Sequence, residues 1–256
     1  MQGLPFEGQV AIVTGAGKGT GGVGRAIAQR LAEGGARVMV ADVDPRVAET
    51  AAEVKAATGR DTLSHAGSLA EEAGVLAMVD ATVAAWGRID ILVNNAGGGI
   101  IRPFLEHDAA SFTETLARNL WTVIWCCHKV LPHMVKANYG RIVNIGADSL
   151  RTGIPNHAGY NAAKGGVIGM SVALARDFAA NDITINTVSP CVINTPRFRE
   201  MLQSNPGLAG AFEKVVPKGR ACEIDEVADM VCHLARRESG FITGQEISLN
   251  GGSAMP

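Results

Sequence analysis

Tyr160 and Lys164 stand four residues apart in the segment Tyr160-Asn-Ala-Ala-Lys164. The segment reads as helix, and residues four apart share a helix face, so a phenol and an ammonium can point into one pocket. A free tyrosine titrates near ~10, too high for a base at neutral pH. Lowering that value to about 7 requires roughly 4 kcal/mol. An ammonium about 4 Å away, at an effective dielectric of about 20, supplies about that much. The pair is therefore sufficient for general acid–base chemistry at an alcohol or a carbonyl. The spacing alone is common in sequences, so its weight rests on what accompanies it.

A Gly-rich stretch accompanies it. Thr14-Gly-Ala-Gly-Lys-Gly-Thr-Gly-Gly-Val-Gly24 follows an apolar run and opens a helical segment. Glycines there let the backbone approach a pyrophosphate, whose charge is favoured at a helix N-terminus. Asp42 ends the next apolar run, 27 residues after Gly15. A carboxylate at that place can accept both ribose hydroxyls of a dinucleotide and would repel a 2′-phosphate. NAD is expected over NADP, with Lys18 in the loop as the opposing signal.

The elements that position these groups alternate along the chain. Short apolar runs at Val10–Val13, Arg37–Ala41, Asp90–Val93, Arg141–Ile145, Ile183–Val188 and Gln245–Leu249 read as strands buried on both faces, with a weaker one at Asp61–Ser64. Helical spacing covers Val23–Glu33, Pro45–Thr58, Leu69–Trp86, Ser111–Lys136, Ala158–Ala180 and Glu223–Arg236. This alternation predicts an α/β fold, a doubly wound parallel sheet in a single domain over residues 1–256. Only Thr195–Pro217 loses regular spacing and reads as an inserted flap with short helices.

The composition fits. With 47% hydrophobic and 19% charged residues and a net charge of -2, the chain has no basic stripe for nucleic acid and is not disordered. No apolar run is long enough for a membrane-spanning helix. The five cysteines are odd in number and lack metal-ligand spacing, so no metal is expected. Free thiols and the lack of a signal-like N-terminus point to a cytoplasmic protein.

Taken together, the sequence resembles the short-chain dehydrogenase/reductase family in its one-domain form, from Val10 to Gly252. The resemblance rests on Thr14-Gly15 with Gly22-Val23-Gly24, Asn94-Asn95-Ala96-Gly97, and Asn119 in a helix. It continues through Tyr160 and Lys164, Ser189-Pro190 to Thr195-Pro196, Ile242-Thr-Gly-Gln245 and Asn250-Gly-Gly252. It implies hydride transfer between NAD(P) and a secondary alcohol or ketone, commonly in a homotetramer. By that resemblance Tyr160 is the acid/base, Lys164 binds the nicotinamide ribose and lowers the phenol pKa, and Asn119 holds a relay water. Asn95, Ala96 and Gly97 line the adenosine side. Pro190, Ile193 and Thr195 lie at the nicotinamide.

The sequence departs from that pattern in places. The phosphate loop is three residues longer than the usual Thr-Gly-x-x-x-Gly-x-Gly, and Ala147 stands thirteen residues before Tyr160 where the family carries a catalytic serine. Ser149 lies two residues on, and in extended backbone it would face the same side, so it is the expected stand-in. Gly67 replaces an adenine-binding Asp, and Cys191 replaces a Gly. On the substrate side, Asn156, His157, Phe198, Met201 and Leu202 suggest a partly apolar pocket, with Arg151 a weak candidate for an anion. The competing readings are an NADPH-linked 3-oxoacyl reductase and a catalytically silent dinucleotide-binding protein.

Overall fold

The computed structural model describes residues 3–19, 22–204 and 215–255. Seven strands form one parallel sheet: β1 (Val10–Thr14), β2 (Arg37–Asp42), β3 (Thr62–Ala66), β4 (Ile91–Asn94), β5 (Gly140–Ile145), β6 (Ile183–Pro190) and β7 (Glu246–Leu249). Their order is β3-β2-β1-β4-β5-β6-β7. Successive strands run outward to β3 from the middle, then return and run the other way from β4. The reversal between β1 and β4 opens a crevice at their carboxyl ends, where ligands bind in open sheets of this kind.

The helices are α1 (Val23–Glu33), α2 (Val47–Thr58), α3 (Glu72–Trp86), α4 (Ala109–Leu116), α5 (Thr122–Ala137), the short α6 (Ser149–Thr152), α7 (Ala158–Phe178), α8 (Pro196–Ser204) and α9 (Ile224–Ala235). Side chains of β1 split by period two. Ala11 and Val13 pack with α1, α2 and α9, while Ile12 faces the layer of α3, α5 and α7. Strands buried on both faces favour apolar residues at successive positions, which explains the unbroken runs of β1 and β4.

Several boundaries differ from the sequence reading. The second helix starts at Val47, not Pro45, because a turn closed by Asp44 comes first: its carboxylate accepts from the Arg46 amide at 2.9 Å. The segment Ser111–Lys136 is broken by a π-turn at Ala117–Trp121. There the Asn119 Nδ2 donates to the Thr115 carbonyl (2.8 Å), the acceptor its own backbone amide would use in an α-helix. The flap begins as α8, with Pro196 in its first turn and the Thr195 hydroxyl accepting from the Phe198 amide at 3.2 Å. Its remainder, residues 205–214, lies outside the described residues.

Candidate active site

Tyr160 and Lys164 lie in the first two turns of α7, at the carboxyl end of the sheet. Lys164 is 2% exposed; its Nζ donates to the Ile145 carbonyl at 2.7 Å and stands 5.8 Å from the Tyr160 ring centre. The loop after β4 threads between the two and Asn119. A methyl group on Gly97 would fall 2.7 Å from Asn119 Oδ1 and 3.4 Å from Lys164 Nζ. One on Gly99 would fall 2.7 Å from the Tyr160 ring. Between them, Asn119 clamps Gly98, accepting from its amide (3.0 Å) and donating to its carbonyl (3.1 Å). Thus Asn119, Tyr160 and Lys164 converge on one glycine loop that no larger residue could form. The side chain of Asn119 is engaged with backbone, so its direct role here is to fix that loop.

Burial opposes charge on both reacting groups. It pushes the Tyr160 phenol up to about 12 and the Lys164 ammonium down to about 8. The Lys164 ammonium stands over the phenol, 5.8 Å from the centre of its ring. Even at the separation of about 4 Å taken from sequence, an ammonium contributes about 4 kcal/mol at an effective dielectric of about 20. Lowering the phenol from about 12 to about 7 needs roughly 7 kcal/mol. Lys164 alone therefore supplies only part of the shift.

Beside Tyr160 is a cavity of about 310 Å³. Ile101, Ala147, Ile154 and Val192 give it apolar walls, and Ser149 and His157 add polar groups. Ser149 reaches this cavity by a different route from the one expected. Residues 147–149 are not extended: Asp148 is helical (φ -68°, ψ -13°) and Ser149 opens α6. The Ser149 hydroxyl donates to Asn161 Oδ1 at 2.6 Å, and Asn161 Nδ2 donates back to the Ser149 carbonyl at 3.1 Å. Asp148 is fully buried, and its carboxylate accepts from Asn250 Nδ2 (3.1 Å) and the Ser253 hydroxyl (2.8 Å). Neither Asp148 nor Asn161 stood out in the sequence. Their partners are remote or across a turn, and no spacing signals them.

A second cavity, of about 540 Å³, lies at the crevice and is lined by Gly15, Asp42, Gly67, Ala96 and Gly97, among others. Its floor admits only glycine at key points. Gly15 has φ +66°, and a methyl group on it would fall 2.6 Å from the Ala96 Cα; one on Gly24 would strike the Gly15 carbonyl. Asn95 Nδ2 ties the turn down by donating to the carbonyls of Thr14 (3.1 Å) and Gly15 (2.8 Å). Gly22 leads into α1, whose first amides, including those around Val23 and Gly24, carry no side-chain cap. A close-approach glycine turn and uncapped helix amides fit a dinucleotide pyrophosphate. Gly21 lies outside the described residues.

Asp42 is 5% exposed, and it lines the crevice cavity while both of its carboxylate oxygens hold backbone amides. Oδ2 accepts from the Gly17 amide (2.8 Å) and Oδ1 from the Asp44 amide (3.0 Å), so it anchors the start of the lengthened loop. Each oxygen keeps a lone pair for a ligand. The neighbouring cations are matched by carboxylates: Lys18 and Arg25 pair with Glu53, and Arg46 pairs with Asp44. Gly67 is explained locally, since a methyl group there would sit 2.9 Å from His65 Nε2. Arg151 holds Glu246 (3.0 Å) and Ser248 (2.9 Å), leaving it no role toward an anion. Pro190 and Ile193 line the Tyr160 cavity, while Thr195 caps α8. Cys191 lines the same cavity, and all five cysteines are free.

Known proteins resemble this chain in sequence and fold. The family model described as Enoyl-(Acyl carrier protein) reductase matches residues 17–254. The chain is 50% identical to a 2,3-dihydroxy-2,3-dihydro-p-cumate dehydrogenase of Pseudomonas putida, over 98% of this chain and 96% of the relative. It is 35% identical to a D-threitol dehydrogenase of Mycolicibacterium smegmatis, over 96% of this chain and 93% of that one. Among solved structures, an NAD+-bound xylitol dehydrogenase superposes with a TM-score of 0.89 at 31% identity, covering 96% of this chain and 99% of that chain. With the seven-stranded parallel sheet and the Tyr160–Lys164 helix already in place, these likenesses settle the lineage: the chain belongs to the short-chain dehydrogenase/reductase family and is an NAD(P)-dependent oxidoreductase.

Proposed function

We propose that this enzyme uses NAD to oxidise a secondary alcohol carried on a ring, of the dihydrodiol kind, with Tyr160 taking the hydroxyl proton. The cavity beside Tyr160 carries this reading: apolar walls suit a ring, and its polar groups cluster near the phenol. The relative that acts on a dihydrodiol of p-cumate supports it. Nicotinamide dinucleotide bound in the crevice would supply the hydride acceptor and a positive charge toward the remaining shift of the phenol. Lys164 supplies part of that shift and a donor for the ribose. Asn119 keeps the glycine loop against both side chains. Ser149 and Ile193 border the reacting carbon. Tyr160→Phe is expected to lower kcat at least about a hundred-fold while nicotinamide binding persists, because general acid–base groups contribute about 10²–10⁴ in rate. Activity surviving that substitution in a stopped-flow assay of NADH formation removes Tyr160 from the mechanism.

NAD rather than NADP is supported by Asp42 and by the neutralised cations around it. Lys18, the opposing signal in the sequence, is engaged by Glu53. Asp42→Ser is expected to lower the ratio of kcat/KM for NAD over NADP at least ten-fold, measured with one alcohol and both cofactors. The loss has a local component, since the Gly17 and Asp44 amides also lose their acceptor. An unchanged ratio assigns cofactor choice elsewhere. A 3-oxoacyl-[acyl-carrier-protein] reductase of Escherichia coli is 34% identical over 98% of this chain, but the acidic Asp42 disfavours the corresponding NADPH-linked activity.

The same reading takes residues 195–217 as the substrate flap of one catalytic domain. It is supported by α8, which has no buried residue among those described. A homotetramer is supported by an apolar cavity of about 440 Å³ on the outer face of α5 and α7, lined by Ile124, Leu131, Val135, Met170 and Leu174. A cytoplasmic location agrees with the free cysteines. No helix among the described residues is long and apolar enough to cross a membrane.

A further inference from the structure

We infer that the cavity beside Tyr160 is wired to accept hydrogen bonds, through Ser149 and His157, and so selects a vicinal diol over a mono-alcohol. This rests on the alcohol-oxidising reading above.

Two internal bonds fix the donor and acceptor roles. The Ser149 carbonyl can only accept, so the amide nitrogen of Asn161 must face it. That turns Asn161 Oδ1 toward the Ser149 hydroxyl, which must then donate. With its only hydrogen committed at 2.6 Å, Ser149 Oγ offers the cavity lone pairs alone. The argument for His157 has the same form. Its Nδ1 lies 2.8 Å from the Pro155 carbonyl, another obligate acceptor, so Nδ1 carries the proton. The neutral ring then presents Nε2 as a bare acceptor. His157 lines the same cavity, its ring edge-on to Tyr160 with centres 6.2 Å apart.

Two acceptors lining the cavity beside Tyr160 suit a substrate that brings a second hydroxyl donor. One hydroxyl loses its proton to Tyr160 as its carbon gives up hydride. The adjacent hydroxyl stays intact and donates to Ser149 or His157. A mono-alcohol brings no second donor and leaves both lone-pair groups unmatched, whereas the hydroxyketone formed from a diol still donates to one of them. Ser149 is therefore a specificity group in this arrangement, not a donor to a developing oxyanion, which revises the stand-in role its position suggested. Asn161 is a positioning residue that holds Ser149 in this state.

The test compares two matched allylic alcohols with NAD: cis-cyclohex-3-ene-1,2-diol and cyclohex-2-en-1-ol. The wild-type enzyme is expected to prefer the diol at least ten-fold in kcat/KM. In His157→Leu that preference falls at least ten-fold, mostly through KM, and His157→Gln, which keeps an acceptor oxygen, restores part of it. Ser149→Ala lowers the preference as well. Equal losses on both alcohols in His157→Leu, or a wild-type enzyme with no diol preference, overturn the inference and leave the dehydrogenase reading standing. A wild-type enzyme that oxidises neither alcohol with NAD overturns both.

Discussion

Lys164→Met is expected to give an enzyme that melts higher at pH 7 and has lost at least a thousand-fold in turnover. Burial lowers the Lys164 ammonium from its ordinary 10.5 to about 8, so holding it charged at neutral pH costs about 3 kcal/mol. Methionine fills similar space without charge and leaves the Ile145 carbonyl without its donor, at about 1 kcal/mol. The net gain is about 2 kcal/mol, or roughly 4–8 °C in Tm for a chain of this size. The pH dependence gives a second check. The folded-state value is depressed, so between about 8 and 10.5 the unfolded chain binds more protons than the folded one. Stability due to this group therefore rises with pH across that window. The destabilisation is full below about 8 and gone above 10.5, so the Tm gap between variant and wild type closes as pH is raised. A variant that melts lower at pH 7, with no change in the gap by pH 10.5, shows that Lys164 is a net structural asset.

Gly15→Ala carries the other large effect. Gly15 has φ +66°, and the added methyl group would fall 2.6 Å from the Ala96 Cα and 2.8 Å from its nitrogen. Ala96 cannot yield cheaply, because its amide donates to the Thr14 hydroxyl at 3.0 Å, as does that of Asn95 at 3.1 Å. Left-handed backbone costs about 1–2 kcal/mol for an L-residue, and overpacking adds about 1–3. A loss of about 3–4 kcal/mol in urea unfolding is expected, with NADH affinity weakened about a hundred-fold. Gly59→Ala is the control: it has φ +69° but nothing within 4 Å of the added carbon. It should lose only the backbone cost, about 1–2 kcal/mol, and bind NADH as the wild type does. Similar NADH affinities in both variants would place the pyrophosphate away from this turn.

What the sequence made legible follows from how local each cause is. β1 and β4 showed as unbroken apolar runs because each is covered on both faces, whereas β3 at the sheet edge exposes Leu63 and read weakly. Tyr160 and Lys164 were legible because four residues span one helical turn. The π-turn at Asn119 was hidden, since it depends on a side chain competing for one carbonyl. The hydroxyl of Ser149 had a readable position but not a readable role, because Asn161 lies 12 residues on across a turn. Lys18 looked like a phosphate ligand until Glu53, 35 residues away on α2, was found beside it. Pairings set by crossovers of the sheet leave no local pattern.

Asp148 gives the segment after β7 a hold on the alcohol pocket. A fully buried carboxylate sits one position before Ser149 and takes its side-chain donors from Asn250 and Ser253. Deleting residues 250–255 would leave that charge without either donor while sparing every strand. The variant would keep its sheet and its grip on dinucleotide but hold the diol loosely, so a deletion after the last strand of the sheet would surface as a substrate defect.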